Sequence, residues 1–170
     1  MLRLLLWALA AVAVLALGYT GYAAAVGKKQ ALAQLLGAVR REPVDFSTLR
    51  LKPSPNQFLV CPPGYCAAEA HLASPEFDMS AAELRNRWVE RIETLPRVER
   101  IAGDDASEQY DFEQTTPLLG FPDTITVRFI DLGDGRSTFA VYSRSHYGYS
   151  DMGANRKRIG QWLANLEAGL

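Results

Sequence analysis

The uncharged run from Leu4 to Gly27 constrains this chain more than any other feature. It lies between Arg3 and the pair Lys28-Lys29, and its 24 residues exceed the roughly 20 that an apolar helix needs to cross a bilayer. Two readings fit it. One is an uncleaved transmembrane anchor. The other is a secretory signal, with a short basic start, an apolar core and the small residues Ala23-Ala24-Ala25. The length favours the anchor, because the run outlasts the apolar core of a typical signal. No cysteine follows the core directly, which argues against lipoprotein processing at this point.

Residues 1–27 are therefore read as the anchor or signal-like segment, 28–53 as a juxtamembrane helix and linker, and 54–170 as a soluble domain. The flanking cations, Arg3 on one side and Lys28, Lys29, Arg40 and Arg41 on the other, would by themselves leave the domain in the cytoplasm. The cysteines argue the other way. The expectation is a single-pass protein of the inner, cytoplasmic membrane with its domain periplasmic or extracytoplasmic. From Pro43 onward the chain carries 13 basic and 18 acidic residues, a balance of −5. That is a poor footprint for nucleic acid, which needs a basic surface.

Leu32, Leu35, Leu36 and Val39 fall at helical spacing within Ala31 to Arg41, as in a short helix lying near lipid or a helical stalk. Prolines 43, 53, 55, 62 and 63 then break regular structure, leaving a long lead-in to Ser74 with one short strand at Gln57 to Val60. Cys61 and Cys66 bracket Pro62-Pro63-Gly64-Tyr65. An even pair in an exported domain suggests a local disulfide, worth about 2–3 kcal/mol for so short a loop. Two buried thiols remain an alternative. Metal or redox chemistry is weaker, because a structural zinc site wants four ligands and only His71 lies nearby. A Cys66–His71 nucleophilic pair has no supporting motif around it.

Ser80 followed by Glu83 has the form of a capping box and opens a helix over Ala81 to Leu95. Leu84, Trp88, Ile92 and Leu95 form its apolar stripe, and Pro96 ends it. Val98 to Ala102 reads as a strand start. Gly103-Asp104-Asp105 reads as a turn, and Glu108 to Thr116 as a second strand. The strongest pattern is a hairpin. Thr124 to Ile130 alternates with Ile125, Val127 and Phe129 on one face; Asp131 to Arg136 supplies the loop; Ser137 to Tyr147 returns. Phe139 and Val141 continue the apolar face, whereas Thr138, Tyr142, Arg144 and His146 share the other with Arg128.

The run Ser143 to Arg158 is the densest cluster of hydrogen-bonding side chains in the chain. Gly148 to Gly153 breaks the strand, and Ser150 or Asp151 can cap the helix that follows. Met152, Asn155, Ile159, Trp162, Leu163 and Leu166 make that helix's stripe. Arg156, Lys157 and Arg158 crowd its first turn, where the helix dipole disfavours cations, so at least one arginine there needs a carboxylate or an anion. The expected fold is α+β: a capped helix, an antiparallel sheet of three or four strands and a C-terminal helix packed on it, behind the apolar N-terminal helix.

Two segments carry a resemblance. Ser143-Arg144-Ser145, Gly148, Asp151, Gly153, Asn155-Arg156 and Arg158 are similar to the C-terminal motif of domain-of-unknown-function family 1499. Leu119-Gly120-Phe121-Pro122-Asp123 followed by Val127-Arg128-Phe129 resembles its central segment. The resemblance covers roughly Ser54 to Leu166. The family's more usual Asn-Cys motif is altered, since Pro55-Asn56 is followed by Gln57 and the cysteines come later. The resemblance implies bacterial or plastid origin and frequent membrane association, and no established activity.

Two expectations compete at the junction. In one, Arg128, Arg144, His146 and Arg156, with Asp151 and Asn155, wall a pocket for an anionic or polar ligand, helped by amides at the helix start. In the other, Arg144 and Arg156 pair with Asp151 and Asp123 in a structural clasp. The leading functional expectation is a non-catalytic, membrane-anchored binding or assembly module of the bacterial envelope, for a lipid or another anionic ligand. The alternatives are an envelope hydrolase or transferase using Arg144, His146 and Asp151, and a structural partner of another membrane protein. No motif calls for a cofactor or a metal.

Overall fold

The computed structural model describes residues 1–103 and 108–167. Asp104 and Asp105, read above as a turn, lie outside the described residues. The sheet is built around the long hairpin of β5 (Pro122–Gly133) and β6 (Arg136–Ser145). Its register pairs Ile125 with Ser143, Val127 with Val141 and Phe129 with Phe139. β4 (Gln109–Thr115) and β3 (Val98–Ala102) continue the sheet antiparallel beyond β5. On the other side β6 pairs with β1 (Gln57–Cys61), which in turn pairs parallel with β2 (Leu72–Ala73).

The sheet is thus six-stranded and mixed, in the order β2-β1-β6-β5-β4-β3, rather than antiparallel with three or four strands. The short strand expected at Gln57 to Val60 is β1, and it joins the same sheet; β2, also in the proline-rich lead-in, was not expected. β1 is buried at every position, so it shows no polar–apolar alternation, and β2 has only two residues.

Four helices complete the chain: α1 (Leu2–Val26), α2 (Lys28–Leu36), α3 (Ala81–Glu93) and α4 (Ala154–Glu167). α3 and α4 both cover the apolar face of the sheet. Trp88 of α3 is 1% exposed at the centre of that layer. Its ring centroid lies 4.9 Å from Phe139 and 6.1 Å from both Phe129 and Trp162. Ser80 caps α3 by accepting a hydrogen bond from the Glu83 amide. The Glu83 side chain does not complete the box; its carboxylate pairs with Arg87 one turn on. On α4, Asn155, Ile159, Trp162, Leu163 and Leu166 are buried, but Met152 is 99% exposed. It precedes the helix in a left-handed turn with φ 52° and so never joins the stripe.

The opposite face of the sheet is covered without helices. Leu59, Cys61, Ala140 and Tyr142 pack under Phe46, with Val44, Leu49, Leu51, Tyr65 and Cys66 around them. Cys61 and Cys66 are joined by a disulfide, and the Ala67 amide donates to the Phe46 carbonyl. The stretch between α2 and β1 is therefore one wall of the domain. α2 is tied down as well. Lys28 donates to the Pro117 carbonyl, and Lys29 sits 2.9 Å from Glu99 and 2.6 Å from the buried Glu113. Burial opposes the charge of Lys29, but the two carboxylates raise its pKa on balance. Leu32 of α2 is buried, whereas Leu35 and Leu36 are exposed.

α1 is 25 residues long with a mean hydropathy of 2.0, long and apolar enough to cross a membrane, as an anchor or as a signal sequence.

The indole nitrogen of Trp88 is buried with no acceptor among the described residues. Trp88→Ala should cost about 3–5 kcal/mol through the cavity it leaves. Trp88→Phe should cost far less, because no hydrogen bond is lost with the indole. Denaturant unfolding monitored by circular dichroism measures both.

Candidate anion-binding site

Two polar clusters come from the strand-to-helix junction, and they lie on different sides of β6. The first is a clasp. Asn155 is fully buried at the start of α4. Its Oδ1 accepts from Ser143 Oγ at 2.5 Å and from Arg158 Nη1 at 2.6 Å. Its Nδ2 donates to the Asn56 carbonyl, to Ser145 Oγ and to Asp151 Oδ2. Arg158 spreads its donors over three elements: Nε to Gln114 Oε1 at 2.7 Å, Nη1 to Ser143 Oγ at 3.0 Å and Nη2 to Asp123 Oδ2 at 2.5 Å. Asp151 closes the turn into α4, one carboxylate oxygen accepting from the Gly153 amide and the other from the Asn155 amide. The network joins β4, β5, β6 and Asn56, the residue before β1, to α4.

The arginine of this clasp is Arg158, not Arg144 or Arg156. Arg158 stands three residues after Asn155 and so shares its helical face. Arg156 points elsewhere, with its guanidinium 5.0 Å from the Phe58 ring. It borders a shallow groove of about 270 Å³ with Pro55, His71, Ser150 and Asp151. His71 there is structural. Its Nδ1 accepts from the Leu59 amide, and its ring stacks on Phe58 at 5.2 Å.

The second cluster lies on the opposite face. Strand pairing sets Glu113, Thr124, Arg144 and Gln57 in one row across β4, β5, β6 and β1. Asp111, Thr126, Tyr142 and Leu59 form the next row. Arg144 is 8% exposed. Its Nη1 donates to Thr126 Oγ1 at 3.1 Å, Thr126 donates onward to Asp111, and the guanidinium lies 5.1 Å from the Tyr142 ring. Among the described residues no carboxylate lies within 4.0 Å of Arg144. Glu113, the carboxylate in its row, is instead held by Lys29 and Arg41.

Arg144 opens into a cavity of about 450 Å³ between the sheet and the segment after α2. Arg40, Arg50, Lys52 and Arg144 contribute four positive charges to its wall, against Glu42 and Asp45, with His146 and Tyr142 beside them. Asp45 is already engaged: hydrogen bonds from Ser47 hold its pKa below the usual carboxylate range. His146 shares a 2.6 Å hydrogen bond with Thr124 Oγ1. Burial first, then the charges of Arg144, Arg41 and Lys52, push its pKa down to about 4. The imidazole is therefore neutral at physiological pH and poorly matched to base catalysis there. Thr124 is fully buried, so its hydroxyl is closed to a substrate. The cavity offers N–H donors and positive potential, which suit an anion and repel a metal ion.

The sequence-predicted residues thus separate. Arg144 and His146 share the cavity; Asp151 and Asn155 belong to the clasp; Arg156 borders the groove. Arg128 lies in a neighbouring depression with Val44, Tyr65 and Gln109, 3.8 Å from Glu108. No hydrogen bond or ion pair among the described residues links Asp151 to Arg144 or His146. The sequence reading missed Arg158 and Gln114 in the clasp and Arg40, Arg50 and Lys52 in the cavity. The available signal for the last three was a cluster of cations interleaved with Phe46, Leu49 and Leu51, which anchor the segment to the sheet.

Removing one partner of the buried Arg158–Asp123 pair leaves an uncompensated charge, so Asp123→Ala should cost about 3–5 kcal/mol. Arg144→Met removes a desolvated cation whose link to a carboxylate, Asp111, runs only through Thr126. It should leave stability unchanged or raise it. Thermal unfolding of the detergent-solubilised chain separates the two.

A comparison with curated proteins finds no match. The model of the family described as "Protein of unknown function (DUF1499)" matches residues 28–166, from the first residue of α2 to the last turn of α4. The match takes in α2 and the irregular wall as well as the segment from Ser54 onward, and the chain belongs to this family of proteins of unknown function.

Proposed function

We propose that this protein is a membrane-anchored envelope protein whose domain acts outside the cytoplasm as a non-catalytic binding module, taking the anionic group of a ligand in the Arg144 cavity. One observation carries the reading. Arg144 is buried with no carboxylate within 4.0 Å among the described residues, Asp111 being reached only through Thr126, and it borders a space lined by three further cations. A buried guanidinium is costly unless it is paired, and an anion from outside supplies the missing charge. Two features support the location. α1 is long and apolar enough to span a membrane, and the Cys61–Cys66 disulfide belongs to an oxidising compartment.

His146 reports on the cavity. An anion bound beside Arg144 offsets the positive potential that disfavours the imidazolium, so binding raises the His146 pKa. By linkage, the anion binds more tightly as pH falls toward that pKa. Proton NMR of the full chain in detergent, with His146→Gln to assign the signal, should show a titration midpoint near the value of about 4. Inorganic sulfate, whose charge is constant over this range, should move the midpoint upward. In Arg144→Met the midpoint without sulfate is already higher, because one cation is gone, and sulfate should move it no further. An unchanged midpoint in the native chain at saturating sulfate would exclude anion binding at this cavity.

A further inference from the structure

The link between β4 and β5 is apolar, exposed and internally hydrogen-bonded at once. Its tip presents Leu118 at 77% exposure and Leu119 at 38%. Its base is closed by three hydrogen bonds: the Thr116 amide to the Phe121 carbonyl, the Gly120 amide to the Thr116 carbonyl, and the Phe121 amide to Thr116 Oγ1. The two leucines are therefore held outward by a built loop.

The same loop is fastened to α1 and α2. Tyr19 of α1 donates its hydroxyl to the Leu119 carbonyl at 2.7 Å, and Lys28 donates to the Pro117 carbonyl at 3.0 Å. The stem of Lys28 crosses Gly120 so closely that a Cβ there would lie 2.8 Å from the Lys28 Cβ. Gly120 has φ +75°, so both its conformation and this close approach call for glycine. Beneath the tip, Phe121 packs on Tyr147 at 6.0 Å, and Tyr147 donates to the Gly37 carbonyl.

Tyr19 is not at the end of α1. Seven more residues follow before the helix stops at Val26, a rise of about 10 Å. A loop bonded to Tyr19 therefore lies alongside the apolar length of α1 and not beyond it. α1 is about 37 Å long, against a hydrocarbon core of about 30 Å, so a spanning α1 has about 7 Å to place in the interfacial layers. Tyr19 and Tyr22 lie in the last two turns of α1 and Tyr147 packs beneath the loop, and aromatic side chains of this kind collect at interfacial layers.

We infer that the Leu118–Leu119 loop is a second membrane contact, inserting beside α1 into the interfacial edge of the bilayer and holding the domain in one orientation. The inference rests on the reading of α1 as a membrane span. It places Arg144 at the membrane-facing end of the sheet, because Arg144 pairs with Thr124, two residues above the foot of the loop at Pro122.

The test uses the full chain in phosphatidylcholine–phosphatidylglycerol nanodiscs, with the native disulfide intact and one added cysteine carrying a bimane label. Three positions are compared: Leu15→Cys in α1, Leu118→Cys in the loop, and Leu132→Cys at the far end of β5. All three side chains are exposed, so the labels are tolerated. With lipids carrying a doxyl quencher, the Leu15 and Leu118 labels should lose most of their emission, Leu118 more to a shallow quencher and Leu15 more to a deep one. The Leu132 label should keep nearly all of its emission. Quenching at Leu15 without quenching at Leu118 overturns the loop contact and leaves the anchor standing. No quenching at Leu15 overturns both. Equal quenching at Leu118 and Leu132 overturns the single orientation.

Discussion

The buried pair of Arg158 and Asp123, completed by Asn155, is the interaction on which the architecture depends. It fixes the start of α4 to the ends of four strands, and so sets how Ile159, Trp162 and Leu166 meet Trp88 and Phe112 on the sheet. It also uses Asp123, the carboxylate that precedes Thr124 at the foot of β5. Arg144 shares a row and a face with Thr124, opposite to the face of Asp123, and so has no access to that carboxylate. Strand alternation keeps the two arginines apart: Ser143 and Asp123 point to the face covered by α4, where Arg158 meets them, and Arg144, next to Ser143 on β6, points to the other.

That separation gives the two faces different characters. The helix-covered face is apolar and interlocked, with aromatic rings meeting edge to face around Trp88. The other face carries Glu113, Thr124, Thr126, Tyr142, Arg144 and His146, and is closed by an irregular segment pinned at Phe46. A helix laid there would have needed an apolar stripe beneath it. An irregular wall can bring Arg40, Arg50 and Lys52 over a polar sheet and leave space between.

Much of this was legible in advance, for reasons that differ by element. The β5–β6 hairpin follows from clean alternation, and α3 from Ser80 and the Leu84–Trp88–Ile92 stripe, because one face of each is polar. β1 was legible as a strand, but burial at every position removes the contrast that would have placed it inside the main sheet, and β2 is too short to show any pattern. In the junction, the crowding of cations at the start of α4 pointed correctly to a held arginine. It could not say that Arg158 and not Arg156 is held, since that depends on which residue shares the face of Asn155. The cavity was the least legible part: its cations come from a segment with no period, placed by Phe46, Leu49 and the turn at Asp45.

The central claim is that Arg144 is completed by an anion from outside the chain. Native mass spectrometry of the full chain, extracted in mild detergent from the membrane in which it was made, tests this most directly. The account predicts a bound anionic species on the native chain that is absent from Arg144→Met, with Asp123 and Arg158 intact in both. Bare chain from both proteins, or the same bound species on both, would contradict it.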